Sequence, residues 1–263
     1  MAAPKEVTPR TPPASMAKRY AAFLAGLVVM AFGIAFSIKA DLGTSPISSL
    51  PYVASLCTPL SVGTATILMH CAFIAFQILV LRKDYRPIQL LQLPVAFLFG
   101  FLTDFGVWAL QGVTHAGYVQ QWILCLVGTA LVGAGVSLEV RAGVVVLAGE
   151  GAVLALCKAL PVKFGTMKVG FDVTLVATAC IVSFAGLGHL EGVREGTVAA
   201  ALLVGPIARK MGDLWERLRP SGTGAQPPVA ADGGKTPRRV GAARSSLTAE
   251  RTARQPEPTA RAE

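Results

Sequence analysis

Charged side chains are scarce where a soluble protein of this size would need them. Asp, Glu, Lys and Arg make up 15% of the 263 residues against 53% hydrophobic ones, and most of the charges lie in the two ends or between apolar runs. A surface meant for water is not built this way. Histidine is scarcer still: of three, His115 and His189 fall between apolar runs, which leaves poor material for a zinc site. The five cysteines (57, 71, 125, 157 and 180) stand singly, with no CxxC, and are expected to act as small buried hydrophobes. GxSxG and HExxH are absent, and the GGKT at 233–236 has Val229 where a phosphate loop needs glycine. These absences point away from an enzyme and leave no catalytic residue, metal or cofactor to name. The net charge of +9 is spread over loops and ends without interleaved aromatics, which excludes a nucleic-acid binder.

What the chain has is long apolar runs. Five, at 20–38, 62–81, 88–110, 119–138 and 169–188, come near the ~20 residues a helix needs to cross ~30 Å of hydrocarbon. A sixth, 196–208, is short and must extend through Arg209 and Lys210, whose stems can snorkel, or thin the bilayer, or be shielded by neighbouring helices. Residues 43–60 hold Pro46, Pro51 and Pro59 and cannot form one regular lipid-exposed helix. Residues 1–18 and 212–263 are basic and poor in large apolar groups, and are expected to be mostly disordered cytoplasmic tails flanking a membrane domain at 19–211.

The chain also repeats itself. FGIAFSIKADLG around Gly33 is echoed by VGAGVSLEVRAG around Gly133, which aligns Gly33, Ser37 and Gly43 with Gly133, Ser137 and Gly143. Cys57 then falls on Cys157, and after a two-residue slip Gly63 falls on Gly165; more loosely, Gly100 of 90–105 falls on Gly205, next to Pro206. By this register 143–160 matches the proline-broken 43–60 and is expected to be short too, leaving three spans per half, about 20–110 and 119–211. An odd number of crossings turns the second copy over. The expected fold is therefore all-α, with about six transmembrane helices in two inverted three-span repeats, each with a short interfacial or re-entrant helix. Lys and Arg agree: Lys5 to Arg19, Arg82 to Arg86, Arg141 to Lys168 and Arg209–Lys210 would lie inside, against only Lys39 and Arg194 outside. Both termini would then be cytoplasmic, in a bacterial inner membrane.

Polar groups inside the spans are few, and in a bilayer such groups face protein or water. His70 and Gln77 lie seven residues apart on one helix face, Gln89, Gln92 and Asp104 lie on the third span, and Asp172 on the fifth. The slipped register matches His70 with Asp172, placing both near the seam between halves. Glu150, between Gly149 and Gly151, is a further candidate. Each has a plain alternative: an interhelical hydrogen bond for His70 and Asp172, worth ~0.6 kcal/mol, and a water-facing interfacial carboxylate for Glu150. Lys39 and Glu139, which swap sign at equivalent sites, are read with Asp41 and Arg141 as snorkelling or ion-pairing helix ends. Gly26, Gly33, Gly128, Gly133 and Gly135 are expected to let helices approach closely, and the Gly-Thr and Gly-Pro pairs to mark helix ends and kinks.

The stretches KADLGTSPISSL (39–50), LSVGTATILMH (60–70), LPVKFGTMKVGFD (160–172) and EGTVAAALLVGP (195–206) resemble the signatures of the bacterial YczE/YyaS/YitT family of integral membrane proteins, its YczE branch above all, over about 20–211. The resemblance implies a multi-pass inner-membrane protein and brings no catalytic residue with it. Two functions are left standing. One is a transporter or permease for an unidentified small solute bound between the halves at Asp172, His70, Glu150 and Gln77. The other is a non-transporting scaffold or accessory protein for a biosynthetic or regulatory complex. The bilayer is the one sure partner, and a homo-oligomer stays open.

Overall fold

In hydrocarbon a backbone must satisfy its own N–H and C=O groups, so long apolar runs become helices. The computed structural model describes residues 13–217, which form eight α-helices and no strand. They are α1 (Pro13–Ala40), α2 (Pro46–Cys57), α3 (Val62–Leu81), α4 (Gln92–Ala109), α5 (Tyr118–Ala142), α6 (Ala148–Ala159), α7 (Phe164–Leu187) and α8 (Glu195–Arg217). Two short 3₁₀ turns join α3 to α4. Helices α1, α3, α4, α5 and α7 are long and apolar enough to cross a membrane. Only 17% of the most apolar stretch of α7 is buried, so Val169, Val173, Ile181 and Phe184 stand exposed as a lipid-facing side requires.

The two doubtful segments both become 12-residue helices, about 18 Å long and too short to cross. In α2, Pro46 occupies the first turn, where its missing N–H is harmless, and Pro51 lies inside. Each short helix follows a left-handed glycine, Gly43 (φ 86°) before α2 and Gly143 (φ 54°) before α6. Glycine takes this conformation without a Cβ penalty, which is why the turn after the first long helix carries it both times.

Three expectations need correction. Residues 13–18, read as tail, begin α1, with Pro13 at its start followed by good helix formers; residues 1–12 lie outside the described region. Helix α8 does extend through Arg209 and Lys210, the first of the options for the short run, but its helix formers carry it on to Arg217, 23 residues in all, so 212–217 is not tail; residues 218–263 lie outside the described region. Gly205 and Pro206 are inside α8 and not at its end.

The centre of the bundle is the pair α1 and α5. Gly26 faces Gly135 and Gly33 faces Gly128, so the partner number falls as the first rises and the two helices run antiparallel. A Cβ on Gly135 would stand 2.7 Å from the Gly26 carbonyl oxygen, and one on Gly128 equally close to that of Gly33. Glycine is required at this approach, where van der Waals contact is the main adhesive in lipid. At one end Arg19 Nε donates to Ala142 O (2.8 Å), while at the other Ala40 and Leu42 pack on Cys125. Around this axis α4 lies on α1 and α8 on α5, and each short helix packs on a long helix of the other half of the chain, α2 on α7 and α6 on α3.

Helices α3 and α4 are pressed together. Gly63 and Gly100 face one another, and Asp104 of α4 accepts hydrogen bonds from Gly63 N (2.7 Å) and Ser61 Oγ (2.6 Å), closing the N-terminus of α3. Helices α7 and α8 instead stand apart: a Cβ on Gly165 or on Gly205 would meet nothing within 4 Å.

Candidate functional site

The space left between α7 and α8 continues inward as a cavity of about 340 Å³. Both halves of the chain line it. The first contributes Ser45, Pro46 and Ser48 from the start of α2, Thr66 and His70 from α3, and Phe99 from α4; the second contributes Glu139, Glu150, Lys168 and Asp172, with Ala201 and Gly205 of α8. The first turns of the short helices meet here, with Gly149 of α6 against the side chain of Ile47 of α2. The walls are chiefly aliphatic and aromatic. A few polar groups on an apolar lining, in a volume at the low end of ~300–1,000 Å³, make the usual build of a small-molecule site.

His70, Asp172 and Glu150, picked out as polar residues in apolar runs, share this cavity. His70 is 3% exposed, lies flat on Phe99 (centroids 5.9 Å apart, planes within 6°), and makes no hydrogen bond to any described residue. Asp172 is half-buried and bonded to Lys168 Nζ one turn back, at 2.5 Å. Lys168 had counted only as a charge in an inner loop; it belongs to α7 and faces the cavity.

Gln77 does not reach the cavity. Fully buried two turns beyond His70, its Nε2 donates to Gln92 Oε1 (3.0 Å) and to Ala148 O (3.1 Å), fastening α3 to α4 and to the start of α6. A shared helix face did not mean a shared site, because the first turn of α6 lies on Gln77 and covers it.

Glu139 is the site residue that sequence reasoning passed over. Expected at a helix end as a snorkelling or ion-pairing group, it is 3% exposed and turned inward, where its Oε1 accepts from Leu147 N (3.1 Å), the residue before α6. Glu150 stands in the first turn of the same helix and lines the same cavity. The signal that could have found it is a carboxylate just upstream of a short helix whose first N–H groups need an acceptor.

Fold and cavity together define a helical membrane protein with several apolar helices and an apolar cavity that holds a few polar side chains. A family model described as "Family of unknown function (DUF6198)" matches residues 17–212, and the chain belongs to that family. It is 28% identical over 194 residues to "Uncharacterized membrane protein YczE" of Bacillus subtilis (strain 168), covering 73% of this chain and 84% of the relative. It is 26% identical over 124 residues to "Uncharacterized protein YyaS" of the same organism, covering 47% and 60%. No solved structure matches.

Proposed function

We propose that this protein is a small-solute transporter of the bacterial cytoplasmic membrane, built from two inverted three-span repeats and binding its solute in the cavity at their seam. The observation that carries this is the cavity itself, lined from both halves and holding His70, Asp172 and Glu150. A scaffold would have its spans packed dry. The inverted relation is supported by the antiparallel run of α1 and α5, the two matching helices, and by the left-handed glycines 43 and 143 at matching turns.

The repeat also supplies a gating scheme. Under its register the joined Gly63 and Gly100 correspond to the separated Gly165 and Gly205. With both termini inside, the α3–α4 contact closes the outer side and the α7–α8 gap opens the inner one. Rocking one half on the other would exchange these arrangements, which is alternating access. Asp104 latches the closed side.

The test is uptake and export in proteoliposomes against a metabolite pool, with Asp172→Asn beside the parent. The variant is expected to lose most flux, because Lys168 would be left facing the cavity with a neutral amide. Equal flux would remove Asp172 from the site, and no flux of any solute by the folded parent would sink the transport reading.

A further inference from the structure

The cavity's charge is lopsided. Its four ionisable carboxylate and ammonium side chains all come from the second half: Glu139, Glu150 and Asp172 against Lys168. Lys168 makes its direct bond to Asp172 and reaches Glu150 only through longer-range charge, and among the described residues no cation is within ion-pair distance of Glu139 or Glu150. One oxygen of Glu139 is held by Leu147 N, a neutral donor that supplies no counter-charge. A carboxyl in apolar surroundings either keeps its proton or, where a cation reaches it, gives the proton up and pairs with that cation.

A second observation is independent of the acids. His70, nine-tenths and more buried, lines the same space without a hydrogen-bond partner among the described residues. A neutral imidazole has one ring nitrogen free to accept, so this wall offers a lone pair to an N–H donor. Apart from the hydroxyls of Ser45, Ser48 and Thr66, the rest of the lining is apolar, including Met30, Ile34, Phe99 and Phe164. An ammonium attached to a compact hydrocarbon body answers all three features: charge for the glutamates, N–H for His70, and apolar surface for the remaining wall. Aromatic faces beside a bound cation add to its attraction.

From this we infer that the cavity is a site for a small organic monocation, an amine in its ammonium form with a compact apolar body, held between the Glu139–Glu150 pair and His70. The inference rests on reading the cavity as a solute site and names the class of solute.

The experiment uses the full chain in nanodiscs and three probes of one shape: cyclohexylamine, cyclohexanol and cyclohexanecarboxylate, with KCl as ionic control. Thermal unfolding is followed as each is titrated. Cyclohexylamine is expected to raise Tm in a saturable way, with the others giving little shift. Its apparent affinity should fall at least about tenfold in Glu150→Gln, as for removal of a buried charge partner, and should fall also in His70→Phe, which keeps the stack on Phe99. Glu150→Gln is chosen over Glu139→Gln because Glu139 also holds the start of α6. Lys39→Gln, a charge change outside the cavity, should leave binding unchanged.

Equal stabilisation by the alcohol or carboxylate, an equal effect of KCl, or undiminished amine binding in Glu150→Gln would overturn the inference. Amine binding without flux in proteoliposomes would uphold the cation site and overturn transport. Flux of neutral or anionic solutes with no amine binding would do the reverse.

Discussion

Glu139 serves two structures with one carboxyl: an oxygen receives the N–H that opens α6, and the group forms part of the cavity wall. Gln77 is the opposite case, a polar side chain deep in a span whose work is joining helices. Gln77→Leu should therefore lower stability by about 1–3 kcal/mol, since it leaves the Ala148 carbonyl and Gln92 without their donor, while the apparent affinity for a transported solute stays at the parent's value. Thermal unfolding in nanodiscs paired with flux measurements checks this, and a large change in affinity would return Gln77 to the site. At this scale a polar residue interrupting an apolar run led to the lining of one cavity, as at His70, Asp172 and Glu150, which gives their place and not their role. The sequence was unreadable where position along a helix was ambiguous. Glu139 stands near the end of α5 and looked like an interfacial charge, and only the fold of the following turn brings it back inside. Lys168 was hidden for the same reason, since the start of α7 cannot be fixed from hydropathy in LPVKFGTMKVGFD.

Among the helices, the five long apolar ones were legible because hydropathy over ~20 residues depends on composition and hardly on neighbours. The short pair was legible in a less direct way, through the prolines of 43–60 and their transfer by the repeat to 143–160. The end of α8 was placed too early because its last turns are charged, and charge ends a hydropathy run without ending a helix. The contacts between elements allow a comparison of matched glycines. Gly63→Ala would drive a Cβ into the Gly100 carbonyl and the Asp104 carboxylate, and overpacking of this kind costs about 1–3 kcal/mol. Gly165→Val meets open space in this arrangement and should leave thermal stability close to the parent's. If α7 must close on α8 during each cycle, the same valine should abolish flux. Unfolding and flux measured side by side on Gly165→Val decide the matter, and a stable variant that transports normally would end the gating scheme.

For the molecule as a whole, orientation is the quantity that the Lys and Arg distribution predicts and the helix contacts leave to experiment. Cysteines placed at 115 and 189 in a cysteine-free background should react with a membrane-impermeant maleimide added to intact cells, and cysteines at 84 and 163 should react only after lysis. Reaction in the opposite pattern would reverse the side on which the cavity opens. Deleting 220–263 should leave flux nearly unchanged, because the family match ends at residue 212 and the cavity walls lie before that point; a strong loss would shift attention to partners of the basic tail. Under the proposed orientation and gating scheme the two mouths also differ in cost. Where the outer one has Ser61 and Asp104 to bind its helices, the register gives the inner one Lys163 and Arg209, both exposed. Bringing α7 onto α8 would push two like charges together, so an empty protein should idle with its cytosolic door ajar and turn outward more readily in leaflets rich in phosphatidylglycerol or cardiolipin, whose phosphates would shield that pair.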